Sequence, residues 1–162
     1  MATRSEKDAC DLLDADHRAV KKLFNQYDEL AGSAAQRSKK QRMDIAREIC
    51  TQLTVHAQIE EEIFYPRLRA AFKKTDTLAE AQVEHATAKE LIAQIESGGE
   101  PDEAFDAKVK VLGEYIDHHV KEERNEIFPK ARSTRGLDLM GMRDELAARK
   151  EQLLAEHSPL AA

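Results

Sequence analysis

The stretch His56-Ala57-Gln58-Ile59-Glu60-Glu61-Glu62-Ile63-Phe64-Tyr65-Pro66 decides how the rest of the chain is read. On a helix, residues i and i+4 share a face, so His56 and Glu60 stand one above the other, about 6 Å apart in rise. An imidazole and a carboxylate so placed suit a metal ion of borderline hardness. The stretch has an echo in His119-Val120-Lys121-Glu122-Glu123-Arg124-Asn125-Glu126-Ile127-Phe128-Pro129. Again a glutamate follows the histidine by four and a proline follows it by ten. Chance supplies many single His-x-x-x-Glu pairs in helical chains, but two with the same downstream punctuation form a pattern.

Both pairs sit inside apolar stripes of helical period. One stripe is Ile45, Ile49, Leu53, His56, Glu60 and Ile63 or Phe64; the other is Phe105, Val109, Leu112, Ile116, His119, Glu123 and Ile127. A carboxylate buried without a partner costs several kcal/mol, so either the helices turn these residues outward or something cationic waits in the core. The second stripe selects His119 over His118, which falls about 100° away on a face shared with Tyr115 and Glu122. Two more stripes each carry a lone histidine: Leu13, His17, Val20, Phe24, Tyr27 and Ala31, then Leu78, Ala81, His85, Ala88, Ile92 and Ile95.

These stripes predict helices over 5–31, 38–72, 75–97 and 102–132. A fifth, amphipathic and charged, covers 137–157 with Leu139, Met142, Leu146, Leu153 and Leu154. Gly32-Ser33 ends the first, Thr75-Asp76 supplies cap chemistry for the third, and the run from Ser97 to Asp102 is a stop and restart with Asp102 as the cap. Pro66 removes a helical hydrogen bond and is expected to kink or loosen the second helix. Helices one–two and three–four read as two copies of one unit, a helix with a lone stripe histidine followed by a helix with His-x-x-x-Glu and a proline. Asp16-His17 aligns with Glu84-His85. The predicted fold is all-α, an up-down four-helix bundle with an additional C-terminal helix. The bundle is placed at residues 5–132 and the packed C-terminal helix with its short tail at 133–162; His157 near its end is expected to be exposed.

Composition agrees with one helical domain. The 162 residues are 35% charged and 5% aromatic with no Trp, enough chain for one real core and poor material for a β sandwich. The net charge of −6 argues against nucleic acid or an anionic membrane as the main partner. No apolar run approaches the roughly 20 residues of a membrane span, and the polar start, Met1 to Asp8, is unlike a signal peptide. Cys10 and Cys50 form no CxxC pair and read as buried, idle thiols of a reducing cytoplasm. A homodimer is left open by the sequence.

Folded as two antiparallel pairs, the chain points His17, His56, Glu60, His85, His119 and Glu123 at the bundle axis. Six donors exceed the needs of one tetrahedral zinc and suit two metals about 3.5–4 Å apart. The glutamates are able to bridge. Imidazole with carboxylate favours iron, manganese or zinc over calcium or magnesium, and two octahedral irons would keep vacant positions for water, hydroxide, oxo or a small diatomic.

This order of residues resembles the hemerythrin-like, or HHE cation-binding, family across roughly residues 10–130. The resemblance implies a non-haem di-iron centre with bridging carboxylates and an oxo or hydroxo group, with Zn or Mn as substitutes. Residue by residue, it implies His17, His56, Glu60, His85, His119 and Glu123 as the ligands. The chain departs from the oxygen-carrying hemerythrins in two places: Lys89 stands where they have a second helix-three histidine, and His119-x-x-x-Glu123 replaces their His-x-x-x-x-Asp. The competing ferritin-like pattern needs a glutamate three residues before a histidine, and no histidine here has one. The expected function is binding of, or reaction with, a small oxidant (O2, H2O2 or NO) as sensor, carrier or scavenger. A catalase-like peroxide-disproportionating enzyme and an iron-storage or structural metal module are the alternatives. Val20, Leu53, Ile92 and Ile116 are expected to line a dry pocket; Tyr27, Tyr115 and Glu61 are candidate acid–base groups, and Glu61 is also a candidate to back a ligand histidine.

Overall fold

The structure is a computed structural model that describes residues 7–157. The expected start of the first helix at Ser5 and Glu6, and the short tail from Ser158 to Ala162, lie outside the described residues. All regular structure among the described residues is helical: α1 (Ala9–Leu30), α2 (Gln36–Ile59), α3 (Tyr65–Ala71), α4 (Asp76–Ser97), α5 (Glu103–Glu122), α6 (Phe128–Ser133) and α7 (Leu139–His157). Short connections make consecutive long helices antiparallel neighbours. α1 packs on α2 and α5, and α4 packs on α2 and α5, which closes a four-helix ring. α7 lies along α1 and α2 and buries Met142, Leu146 and Leu153 against them.

Helix starts follow their capping chemistry in part. Asp8 and Asp11 form a reciprocal capping box on α1, with N–H to carboxylate distances of 2.9 and 3.1 Å. Asp102 accepts from the Phe105 N–H at 2.9 Å, as its position predicts. Thr75 occupies the N-cap position of α4, but its side chain makes no capping bond, so the cap expected there is not formed.

The second and fourth long helices are not continuous α-helix. A π turn, Glu60–Phe64, joins α2 to α3, and another, Glu123–Ile127, joins α5 to α6. In each, an N–H reaches back five residues, Tyr65 to the Glu60 carbonyl and Phe128 to the Glu123 carbonyl. The cause stands in the sequence. Pro66 and Pro129 have no N–H, and in an α-helix their rings would strike the carbonyls of Glu62 and Asn125, four residues back. One extra residue in the turn relieves the clash. The loosening expected at Pro66 therefore takes the form of a wide turn just upstream, and Pro129 repeats it. The extra residue also rotates the downstream helix by about 100°. Phe64, Tyr65 and Leu68 turn inward and are buried, whereas Ile63 is only partly so.

The apolar interior divides into two clusters. One gathers Leu13, Val55, Ile59, Phe64, Leu68, Phe128 and the α7 residues Met142 and Leu146. The other gathers Val20, Phe24, Ile49, Leu53, Ile92 and Leu112. The histidines of the stripes lie at the waist between them, because each replaces an aliphatic residue in mid-stripe.

The far end of the second cluster is closed by a group absent from the sequence reading. Arg42 is 1% exposed. Its Nη1 donates to both oxygens of Asp106 at 2.7 Å and its Nη2 to the Ser33 carbonyl at 2.5 Å. Tyr27 Oη donates to Asp106 at 2.6 Å, and the Gly32 N–H to the same carboxylate at 3.0 Å. Burial raises the Asp106 pKa, but the bonds from Tyr27 and Arg42 outweigh it and hold the carboxyl below its ordinary value. Removing one partner of such a pair typically costs about 3–5 kcal/mol when both are buried. Asp106 retains some hydration, so Arg42→Ala is expected to lower unfolding free energy by about 2–3 kcal/mol in urea denaturation; a loss under about 0.5 kcal/mol, the level of an ordinary surface change, would contradict this role.

Candidate metal centre

The six residues of the two motifs and two stripes converge at the waist. Both glutamates are 0% exposed and none of the four histidines exceeds 7%. His17 and His56 stack edge to face with centroids 4.9 Å apart, and His85 and His119 do the same at 5.0 Å. Each glutamate reaches across the gap between the two pairs. Glu60 Oε1 is 3.2 Å from His56 Nε2 and 3.2 Å from His85 Nε2. Glu123 Oε1 is 3.0 Å from His17 Nε2 and 3.4 Å from His119 Nε2. Two compact donor groups result, His17–His56–Glu123 and Glu60–His85–His119, with donor atoms within 4.8 Å of one another in each. Each group takes its histidines from one repeat and its glutamate from the other.

These approaches are close but are not all hydrogen bonds. Among the described residues, His17 Nε2, His56 Nε2, both oxygens of Glu60 and Glu123 Oε1 are buried with no hydrogen-bond partner. Buried polar atoms are normally paired, and leaving one unpaired costs about 1–3 kcal/mol, more for a charge. A set of orphaned imidazole nitrogens and carboxylate oxygens facing one gap is the donor chemistry of a bound transition metal.

Behind each imidazole stands a carboxylate. His17 Nδ1 donates to Asp14 at 3.1 Å, His56 Nδ1 to Asp16 at 2.9 Å, His85 Nδ1 to Glu61 at 2.8 Å and His119 Nδ1 to Glu84 at 2.8 Å. A carboxylate is acceptor-only, so the proton belongs on Nδ1 and the neutral ring presents its Nε2 lone pair to the centre. Behind each carboxylate stands a cationic or titratable nitrogen: Arg124 on Asp14 at 2.6 Å, Lys150 on Asp16 at 2.5 Å, Lys89 on Glu61 at 2.6 Å and His118 near Glu84 at 3.7 Å. The negative centre shapes the histidines in turn. Burial alone would lower the pKa values of His56 and His119, but the Glu60 charge and the Asp16 bond raise His56 to about 10, and Glu123 and Glu84 raise His119 to about 11. Metal binding to such imidazoles must release protons.

The structure sorts the other candidates. Glu61 backs His85, as expected of a supporting acid. Tyr115 and Lys89 line the cavity above the centre. His118 lies at the surface, its side chain 65% exposed, with Glu122 at 3.2 Å. Tyr27 is not at the centre, because its hydroxyl is committed to Asp106. The residue the sequence reading missed is Tyr65. Its buried Oη donates to Glu123 Oε2 at 2.9 Å and lies 3.4 Å from His119 Nε2. Burial and the Glu123 charge push its pKa well above the ordinary phenol value. Its place in the motif, just before Pro66, was the available signal; the π turn that swings it inward was not anticipated. Above the centre is a cavity of about 30 Å³ whose apolar walls are Val20, Leu53, Ala88, Ile92 and Ile116, room for about one water.

Comparison with known proteins bears on the family and the fold. The family model for the Hemerythrin HHE cation binding domain matches residues 8–131. A curated relative, named a DNA nickase, from a Nostoc species is 28% identical over 123 residues, covering 76% of this chain and 33% of the relative. The chain therefore spans about a third of that relative's length. The crystal structure of a hemerythrin HHE cation-binding-domain protein from Mycobacterium kansasii superposes with a TM-score of 0.74 at 22% identity, covering 93% of this chain and 91% of that one. At that identity the likeness is one of fold.

A metal that binds only the folded chain must stabilise it. Zn2+ at about 100 times its Kd is expected to raise the unfolding free energy by about 2.7 kcal/mol, and Glu60→Ala is expected to remove most of that gain. Chemical denaturation with and without Zn2+ measures both; no gain in the parent protein would contradict a metal site at the waist.

Proposed function

This chain belongs to the hemerythrin HHE cation-binding domain family, and from that premise we propose that its six buried donors hold two non-haem iron ions that bind or react with a small oxidant, O2, H2O2 or NO. One observation carries the reading: the orphaned Nε2 and carboxylate atoms of His17, His56, Glu60 and Glu123 face one gap at the bundle waist. His17 and His56 would hold one ion and His85 and His119 the other, with Glu60 and Glu123 as carboxylate donors within reach of both pairs. Zn or Mn fits the same donors as a substitute. When bound, the irons supply electrons and open coordination positions for the oxidant.

The chain's own residues do the rest. Asp14, Asp16, Glu61 and Glu84 hold the four Nδ1 protons and so aim the Nε2 lone pairs inward. Val20, Leu53, Ile92 and Ile116 keep bulk water from the cavity, which protects a bound diatomic from protonation. Tyr65 keeps a proton at Oη beside Glu123. Sensor, carrier and scavenger share this machinery. The free buried thiols of Cys10 and Cys50 support a reducing, cytoplasmic setting, and no helix among the described residues is long and apolar enough to cross a membrane. The net charge of −6 gives no support for carrying the nicking activity in the Nostoc relative's name over to this chain.

Tyr65 favours a second reading, disproportionation of two H2O2 to O2 and two H2O. That reaction moves protons between oxygens, and the buried phenol is a proton-holding atom within the centre. Protein loaded anaerobically with iron is expected to change its visible spectrum on exposure to at least one of O2, H2O2 and NO; silence toward all three would contradict the main reading. If an oxygen electrode records O2 release from peroxide, Tyr65→Phe is expected to slow that release about 100-fold, whereas an unchanged rate would exclude the phenol from the proton transfers.

A further inference from the structure

The four carboxylates behind the histidines differ in how deeply they lie. The Asp16 side chain is 6% exposed, against 22% for Asp14, 28% for Glu61 and 13% for Glu84. The groups beyond them differ as well. The Lys150 side chain is 28% exposed, while Arg124, Lys89 and His118 are 45%, 51% and 65% exposed. A charge acts most strongly where water screens it least. Lys150 is thus the cation whose charge the centre feels most, passed on through Asp16 to the Nδ1 proton of His56.

Lys150 also differs in origin. Arg124, Lys89 and His118 lie within residues 8–131, the span matched by the family model, whereas Lys150 lies on α7, beyond it. α7 is fixed over the first π turn. Arg149 Nε donates to Glu62 at 2.9 Å, and Arg67 on α3 pairs with Glu145. Exposed pairs of this kind contribute little energy, so the hold comes from buried Met142, Leu146 and Leu153; the pairs set the register that brings Lys150 to Asp16.

We propose that Lys150 is a positioning residue for the metal centre, by which α7 sets the electron-donating strength of His56 and hence the redox balance of the His17–His56–Glu123 half. This rests on the reading that the six donors hold redox-active iron. Lys150 draws negative charge from Asp16, which weakens Asp16 as acceptor for the His56 Nδ1 proton and makes His56 a poorer donor at Nε2. A poorer donor favours the ferrous over the ferric state. α7 is thereby coupled to His56 through Lys150 and Asp16.

The test is a redox titration of the iron-loaded 162-residue chain followed by its visible absorption, with iron counted per chain in every sample. Lys150→Met is expected to shift the ferric-to-ferrous affinity ratio of one iron toward ferric by about tenfold, the size of a unit-charge effect at an effective dielectric of about 20. Lys150→Arg is expected to stay near the parent, and Asp16→Asn to shift the ratio the opposite way, toward ferrous. Opposed signs from two neighbouring substitutions are what a structural defect would not produce. Lys150→Gln carries the same test if the Met variant folds poorly. Iron-loaded Lys150→Met or Lys150→Gln with the parent's ratio would overturn the proposal while leaving the iron reading intact; parent protein that takes up no iron would overturn both.

Discussion

Two carboxylates with no solvent exposure, Glu60 and Glu123, sit in the middle of an apolar bundle, and the rest of the structure is arranged around that cost. An ionised carboxylate taken from water carries a penalty of several kcal/mol unless opposite charge and hydrogen bonds offset it. Here four imidazoles, two to each glutamate, face the carboxylates with their Nε2 atoms, and the opposite charge would be that of the metal ions proposed to sit among them. The imidazoles are held in place by four further acids, and those acids by nitrogens at or near the surface. The result is a set of layers from the waist outward, glutamates, imidazoles, backing acids and outer nitrogens, with Glu60 and Glu123 innermost.

The wiring of those layers follows the internal repeat. Asp16, immediately before His17, does not serve His17 but crosses to His56 on the next helix. Glu84, immediately before His85, crosses in the same way to His119. The remaining two histidines take their carboxylates from different places: Asp14 lies one helical turn before His17, and Glu61 lies beside Glu60 on the first π turn. Lys89 contacts Glu61, so an outer charge bears on the acid that backs His85.

The features legible in the chain were those that depend on local periodicity. The five long helical segments, the four stripe histidines, the two His-x-x-x-Glu pairs and the apolar walls of the cavity all follow from residues three or four apart on one face. The family match over residues 8–131 agrees with the resemblance those residues carry. The π turns were not legible, because helical period is insensitive to one inserted residue until the prolines are weighed against the carbonyls four back. Tyr65 was missed for the same reason, since without the extra residue it faces elsewhere. Arg42 was missed because a charged residue on a helix reads as solvated unless its partner is known, and Asp106 lies 64 residues away. The crossings from Asp16 to His56 and from Lys150 to Asp16 are tertiary, and no spacing announces them. Thr75 shows the converse, a favourable capping residue at the right position whose side chain makes no bond.

In the proposed centre, Glu60 and Glu123 lie between two metal ions at the waist. Anomalous diffraction at the iron edge from crystals of the iron-loaded protein tests it most directly. Two peaks are expected, about 3.5–4 Å apart, one beside His17 and His56 and the other beside His85 and His119, with both glutamates between them. A single peak, or iron bound away from Glu60 and Glu123, would contradict it.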